Sequence, residues 1–324
     1  MEKRNIDRRT FLEHGGKAAG FAAVAVAGGL WLHEPERHPF RVRDDKPIVR
    51  DLRVKDIEQK LVVVRGDDPA QMTAAAIEAF GGMAAFVSKG DFVVVKPNVG
   101  WDRRPEQAAN TNPAVVAEVV RHCVQAGAGR VLVTDVTCND ATRCFERSGI
   151  AAAARDAGAE VQLAQEARFR EVNIGGAMLG RQLIYDAYLE ADKLINIPIA
   201  KHHGLTRVTL GMKNLYGILG GNRSRLHQDI HNSLADLADF LRPTLVIIDA
   251  WRVLLRNGPQ GGSLADVEER HMLLASTDQV AIDALAGAEF FGLTPEDMPW
   301  VGLAEARGLG SADPASLPTE EYTV

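Results

Sequence analysis

Cysteine is scarce in this chain of 324 residues: Cys123, Cys138 and Cys144 are the whole complement, and no Cys-x-x-Cys pair occurs. That scarcity argues against an iron–sulfur cluster or an all-cysteine zinc site and implies no disulfide framework. The common nucleotide and hydrolase fingerprints are missing too. There is no Gly-x-x-x-x-Gly-Lys-[Ser/Thr] loop, no Gly-x-Gly-x-x-Gly after the first strand and no Gly-x-Ser-x-Gly elbow. Positive charge is not in excess: the formal net charge is -6, so no nucleic-acid surface is expected. The apolar run from Ala18 to Leu32 is about fifteen residues, short of the ~20 that span a bilayer. No stable membrane span is expected after processing. No internal repeat is present.

What the N-terminus does carry is an address. Asp7-Arg-Arg-Thr-Phe-Leu12 follows a basic start and precedes that Ala- and Gly-rich run, the pattern of a twin-arginine signal. Ala25-Val-Ala27 offers a cleavage site, and a polar linker follows up to residue 45. The expected partner is the twin-arginine export machinery and the expected location the periplasm, whether the signal is cleaved or kept. Residues 46–324 then form the folded domain.

With 46% hydrophobic and 25% charged residues, that length suits one α/β unit or two intimately packed α/β subdomains. Apolar runs at Leu61–Arg65, Asp91–Lys96, Arg130–Asp135, Lys193–Ile199, Thr244–Asp249 and Met272–Ser276 read as strands. Helical spacing appears between them, with Asn112 as N-cap and Pro113 at the first helical position of one helix. Alternation of this kind predicts an α/β fold with a mainly parallel sheet covered by helices on both faces. The last stretch, Pro295–Gly308, reads as a helix with a ragged polar tail.

Such sheets bind ligands outside the carboxyl ends of their strands. Lys96 and Asn98, Asp135, Lys201 to His203, and Asp249 all fall there. The densest stretch runs from Lys201 to Asn214 and holds His202, His203, Arg207 and Lys213 besides. Lys96, Lys201 and Arg207 are the candidate holders of a small anionic molecule, with Asn98, Asp135, Asn214 and Asp249 as further ligand contacts. Lys213, among glycines that let backbone approach a ligand, is the candidate base, nucleophile or covalent anchor, with His203 beside it. His202, His203, His227 and His231 are the metal candidates, since His227 and His231 are four apart at a helix start. The cofactor is unknown; a metal or metal-bearing cofactor is one of the readings. A non-catalytic periplasmic ligand-binding or accessory protein and a histidine-based metal-binding protein stand beside the enzyme reading.

Val95-Lys-Pro-Asn98, Thr111-Asn-Pro113, Asp192-Lys-Leu-Ile-Asn-Ile-Pro198, Thr209-Leu-Gly-Met-Lys-Asn-Leu-Tyr-Gly217, Ile248-Asp-Ala250 and Asn257-Gly-Pro259 resemble the domain-of-unknown-function 362 family over roughly residues 58–292. Many of its members carry a ferredoxin module whose cysteines this chain lacks. A fainter similarity is to the lactate racemase family, in which histidines bind a nickel-pincer nucleotide tethered to a lysine. Ala191-Asp192, His203, Lys213 and His227 follow that family's order, although the glycine run before the lysine is poorer.

Overall fold

The computed structural model describes residues 46–324. The twin-arginine motif, the cleavage site and the linker lie outside the described residues. In chain order the strands are β1 (Arg50–Asp51), β2 (Leu61–Arg65), β3 (Phe92–Pro97), β4 (Arg130–Val133), β5 (Glu160–Val161), β6 (Phe169–Asn173) and β7 (Arg181–Tyr185). They continue with β8 (Lys193–Ile197), β9 (Ile199–His203), β10 (Arg207–Thr209), β11 (Leu241–Arg242), β12 (Leu245–Leu254), β13 (Val267–Ser276) and β14 (Thr319–Thr323). The helices are α1 (Pro69–Glu78), α2 (Pro113–Gln125), α3 (Ala141–Arg147), α4 (Ile150–Asp156), α5 (Asp186–Glu190), α6 (Gly211–Asn214), α7 (Ile230–Phe240), α8 (Gln279–Phe291) and α9 (Pro299–Glu305).

Among the described residues, ten strands form the main sheet. Its path runs β14-β2-β13-β12-β8-β3-β4-β5, with β9 pairing β12 and β10 pairing β9. Most pairings are parallel; β13 runs antiparallel to both of its neighbours. The sheet is sandwiched because its strands are apolar on both sides. In β3, Val94 joins one core while Val93 and Val95 join the other. Leu132 against Val131 and Val133 in β4 does the same, the period of two expected of a strand. Helices α1, α2 and α4 cover one face through Met72, Ile77, Val116, Val119 and Ile150. Helices α7, α8 and α9 cover the other through Leu234, Leu237, Ile282 and Trp300. Asn112 caps α2 as expected, accepting from the Ala114 N–H at 3.0 Å.

Two elements differ from the sequence reading. The strand at Lys193 ends at Ile197, and a separate strand, β9, carries Lys201, His202 and His203. Lysine and histidine hide β9 from a search for apolar runs. The polar tail ends in β14, an edge strand parallel to β2. Its Thr-Glu-Glu-Tyr-Thr sequence is mostly exposed, so it shows no apolar alternation. Among the described residues no helix is long and apolar enough to cross a membrane.

Asp236, fully buried in α7, ties the connection before β7 to the C-terminal segment. It accepts from the N–H groups of Ala177, Met178 and Leu179, and from Arg307 at 2.8 Å. Removing one member of a buried charged network strands its partners. Asp236→Ala is therefore expected to lower unfolding stability by about 3–5 kcal/mol, measured by urea denaturation.

Candidate functional site: a cationic cleft at the strand ends

The carboxyl ends of β3, β4 and β9 open into a cleft of about 330 Å³, closed on one side by α6 and the turn after it. Lys201 and His203 reach it from β9 and Lys213 from α6. Asn98, Asp135, Asn214, Tyr216, Arg223 and His227 complete most of the polar lining.

The β9–β10 hairpin decides which β9 side chains enter. Alternation puts Lys201 and His203 on one face and His202 on the other. His202 accepts from the Gly258 N–H through Nδ1 at 3.1 Å and does not line the cleft. His203 accepts from the N–H groups of Leu205 and Thr206 through its own Nδ1. A neutral ring in that position carries its proton on Nε2. Burial, then Lys213 and Lys201, pushes the His203 pKa down to about 3. His203 is thereby a neutral hydrogen-bond donor, not a base poised at neutrality.

Lys201 is 1% exposed. Its ammonium donates to Asn98 Oδ1 at 2.8 Å and to the Ala109 carbonyl. Behind it runs a chain of amides. Asn98 donates to Asn214 at 2.9 Å, Asn214 to Asn196 at 2.8 Å, and Asn196 to the Gly211 carbonyl at 2.9 Å. Each amide accepts at its oxygen and donates at its nitrogen, so the three are locked in one orientation. Lys201 has no carboxylate within ion-pair distance among the described residues, and burial, only partly offset by the more distant Asp135, takes its pKa down to about 7. Lys213 is 7% exposed, and its ammonium sits 3.8 Å from the Tyr216 ring centroid. It has neither a hydrogen bond nor an ion pair among the described residues, and burial lowers its pKa to about 8. Arg223 donates to the carbonyls of Val136 and Thr137, fixing the loop after β4 against the cleft.

Lys96 has a different place. Its ammonium is fully buried and pairs with Asp135 at 2.7 Å, while the other Asp135 oxygen accepts from the Val99 N–H at 2.8 Å. Burial lowers the Lys96 pKa against the opposing pull of Asp135. Gly217 lies directly over the pair: a Cβ there would fall 1.8 Å from Asp135 and 2.6 Å from the Lys96 ammonium.

Residues 93–288 match the profile described as Domain of unknown function (DUF362). The chain belongs to the DUF362 family. A thylakoid-associated protein of Synechocystis, sll1697, is 28% identical to this DUF362 protein over 241 residues, covering 72% of this chain and 73% of that one. Among solved structures, the lactate racemase apoprotein of Thermoanaerobacterium thermosaccharolyticum aligns with a TM-score of 0.41 at 13% identity, over 74% of this chain and 57% of that chain. A structural-genomics protein from Thermotoga maritima aligns at 0.38 and 8% identity, over 78% and 60% of the two chains. The DUF362 chain thus spans less than two thirds of both solved chains.

Several residues singled out from the sequence share the cleft: Asn98, Asp135, Lys201, His203, Lys213, Asn214 and His227. Others do not. Lys96 was expected to hold an anion, but its charge is spent on Asp135 beneath the cleft floor. Arg207 was expected there too. It takes a left-handed φ of 60°, points outward, and pairs with Asp297 at 2.7 Å. Asp249 is buried, accepting from the N–H groups of Asn112 and Trp251. Burial raises its pKa to about 6; it braces the start of α2 instead of meeting a ligand.

The four-histidine metal set is split. His231 stacks on Trp300 at 5.7 Å, outside the cleft, whereas His227 stacks on Tyr216 at 6.0 Å. The helix starts at Ile230, after His227, so the spacing of four does not place both on one helical face. No group of three His, Cys, Asp or Glu among the described residues could hold a metal ion. His203, Lys213 and His227, aligned by the fainter resemblance, do line the same cleft.

The sequence reading missed Asp283. This buried carboxylate of α8 accepts from the N–H groups of Gly211 at 2.6 Å and Met212 at 3.1 Å. It thereby caps α6, the short helix that carries Lys213. A lone Asp in the apolar run Val280–Phe291 was the available signal. Arg223 and Asn196 were also unassigned; the amide chain that gives Asn196 its place is visible only in three dimensions.

The buried pair makes a prediction that separates Lys96 from the other lysines. Lys96→Met leaves the Asp135 carboxylate without its counter-charge and is expected to cost about 3–5 kcal/mol of stability. Adding Asp135→Asn, which still accepts from Val99, should recover most of that loss in chemical denaturation.

Proposed function

We propose that this DUF362 protein is an enzyme that binds a small anionic ligand in the cleft, with Lys213 and His203 as its chemical groups. The observation behind the reading is the pair of buried ammonium groups, Lys201 and Lys213, facing one cleft without a carboxylate partner. A buried charge without a counter-charge is costly, and an anionic ligand offsets that cost for both lysines at once. Arg223 adds a third positive group, in a protein whose net charge is -6. The cleft volume of about 330 Å³ lies at the small end of ligand pockets. The amide chain holds Lys201 in place, and the Asp283 cap holds Lys213.

Binding is expected to depend on pH with a definite sign. The folded-state pKa values of Lys201 and Lys213 are lowered to about 7 and about 8, and a bound anion favours their charged forms. Affinity is therefore higher below both values and falls as pH rises through them, by up to about tenfold per pH unit for each lysine. Calorimetric titration with sulfate, which carries the same charge throughout this range, measures it. Lys201→Met should weaken sulfate about ten- to a hundred-fold, the worth of one charge-assisted contact. Equal affinity at low and high pH, in both proteins, would remove the anion site. Lys213→Arg keeps the charge and is expected to keep sulfate binding while losing turnover; a non-catalytic binding protein would show no turnover in either form.

We further propose that the protein is exported by the twin-arginine route, on the strength of Arg8 and Arg9 before the apolar run. Replacing both with lysine should leave the precursor in the cytoplasm. Normal amounts of periplasmic protein from that variant would contradict the proposal.

A further inference from the structure

Lys213 differs from Lys96 and Lys201 in its hydrogen bonding. Lys96 is bound to Asp135 and the Pro97 carbonyl, and Lys201 to Asn98 and the Ala109 carbonyl. The Lys213 ammonium rests against the Tyr216 ring face and donates to no acceptor among the described residues. A lysine placed only to hold charge would be given oxygen acceptors; this one is kept free of them. The same cleft is lined by Lys201 and Arg223, the proposed anion holders, and by His203, whose Nδ1 and not Nε2 accepts from backbone.

We infer that Lys213 forms an imine with the carbonyl carbon of a small oxo acid whose anionic group is held by Lys201 and Arg223. This inference rests on the anion-cleft reading above and narrows its ligand to a carboxylate or phosphate that also carries an aldehyde or ketone. The neutral Lys213 amine attacks the carbonyl carbon, forming the C–N bond as the C=O π electrons move to oxygen. His203 donates a hydrogen bond to that oxygen from Nε2. A proton passes from nitrogen to oxygen to give the carbinolamine. The hydroxyl then leaves as one water molecule, taking up the proton that remains on nitrogen, while the nitrogen electron pair forms C=N. No oxidant or reductant enters. Burial supports the first step by making the neutral amine accessible near pH 8, where an ordinary lysine is almost wholly charged. The Tyr216 ring face, offering no hydrogen-bond donor, does not tie up the lone pair once the proton has gone.

Reductive trapping tests this. The purified protein is incubated with pyruvate and with glyoxylate at pH 8 in the presence of cyanoborohydride, and the modified lysines are mapped by mass spectrometry. Lys213 is expected to be labelled at least roughly tenfold faster than the exposed Lys89. Acetone, a carbonyl without an anionic group, should label Lys213 at least roughly tenfold less efficiently than pyruvate. Sulfate should protect Lys213 and leave Lys89 unaffected. Lys201→Met should raise the pyruvate concentration needed for half-labelling about tenfold, without changing the pyruvate labelling of Lys89. Lys213→Arg, checked for folding by circular dichroism, should abolish the fast-labelled site. Labelling of Lys213 no faster than Lys89, in a protein that still binds sulfate, overturns the imine and leaves the anion cleft standing. Absence of both overturns the imine and the cleft reading together. Acetone labelling Lys213 as well as pyruvate overturns the oxo acid as its ligand.

Discussion

The site is organised on a buried ion pair. Lys96 at the end of β3 and Asp135 just beyond β4 meet at 2.7 Å with both side chains almost wholly out of water. Two such charges are tolerated only together, so the pair holds the ends of adjacent strands in register. The second Asp135 oxygen takes the Val99 N–H and sets the path of the chain beyond β3. Gly217 packs over the pair so closely that no side chain fits there. The turn after α6 can reach the floor of the cleft only because that residue is glycine.

Above this neutral floor the cleft has an excess of positive charge. The three buried lysines differ in what the protein sets against their charge. Lys96 has a carboxylate, Lys201 has an amide and a carbonyl, and Lys213 has an aromatic face. Only the first of the three has its charge matched by a carboxylate. The deficit left at Lys201 and Lys213 is what a bound anion would make good, and the amide chain through Asn98, Asn214 and Asn196 keeps Lys201 from swinging away. Asp283 does the same for Lys213 at one remove, by capping the helix that carries it.

Much of the architecture was legible in advance because buried parallel strands advertise themselves. Val93–Val95, Val131–Val133 and Leu245–Ile248 are apolar without interruption, and the α2 cap is written as Asn112-Pro113. Strand β9 was not legible, since its inner face carries Lys201 and His203 for the cleft in place of hydrocarbon. Nor was β14, whose Glu320 and Glu321 sit at an open sheet edge. A search for apolar pattern finds strands that serve the core and passes over those that serve a site or an edge.

By itself the sequence determined the α/β class, the family and the short list of polar residues at strand ends, because composition, periodicity and local motifs are properties of neighbours along the chain. Only the tertiary structure decided which of those residues face one another. Alternation in β9 sends Lys201 and His203 inward and His202 outward. The left-handed turn at Arg207 commits that side chain to Asp297, and the start of α7 at Ile230 separates His227 from His231. The partners that neutralise Lys96 and position Lys213 lie 39 residues away at Asp135 and roughly 70 away at Asp283. Whether a lysine is spent or free is a matter of which charges folding brings within hydrogen-bonding distance, and no local pattern encodes that.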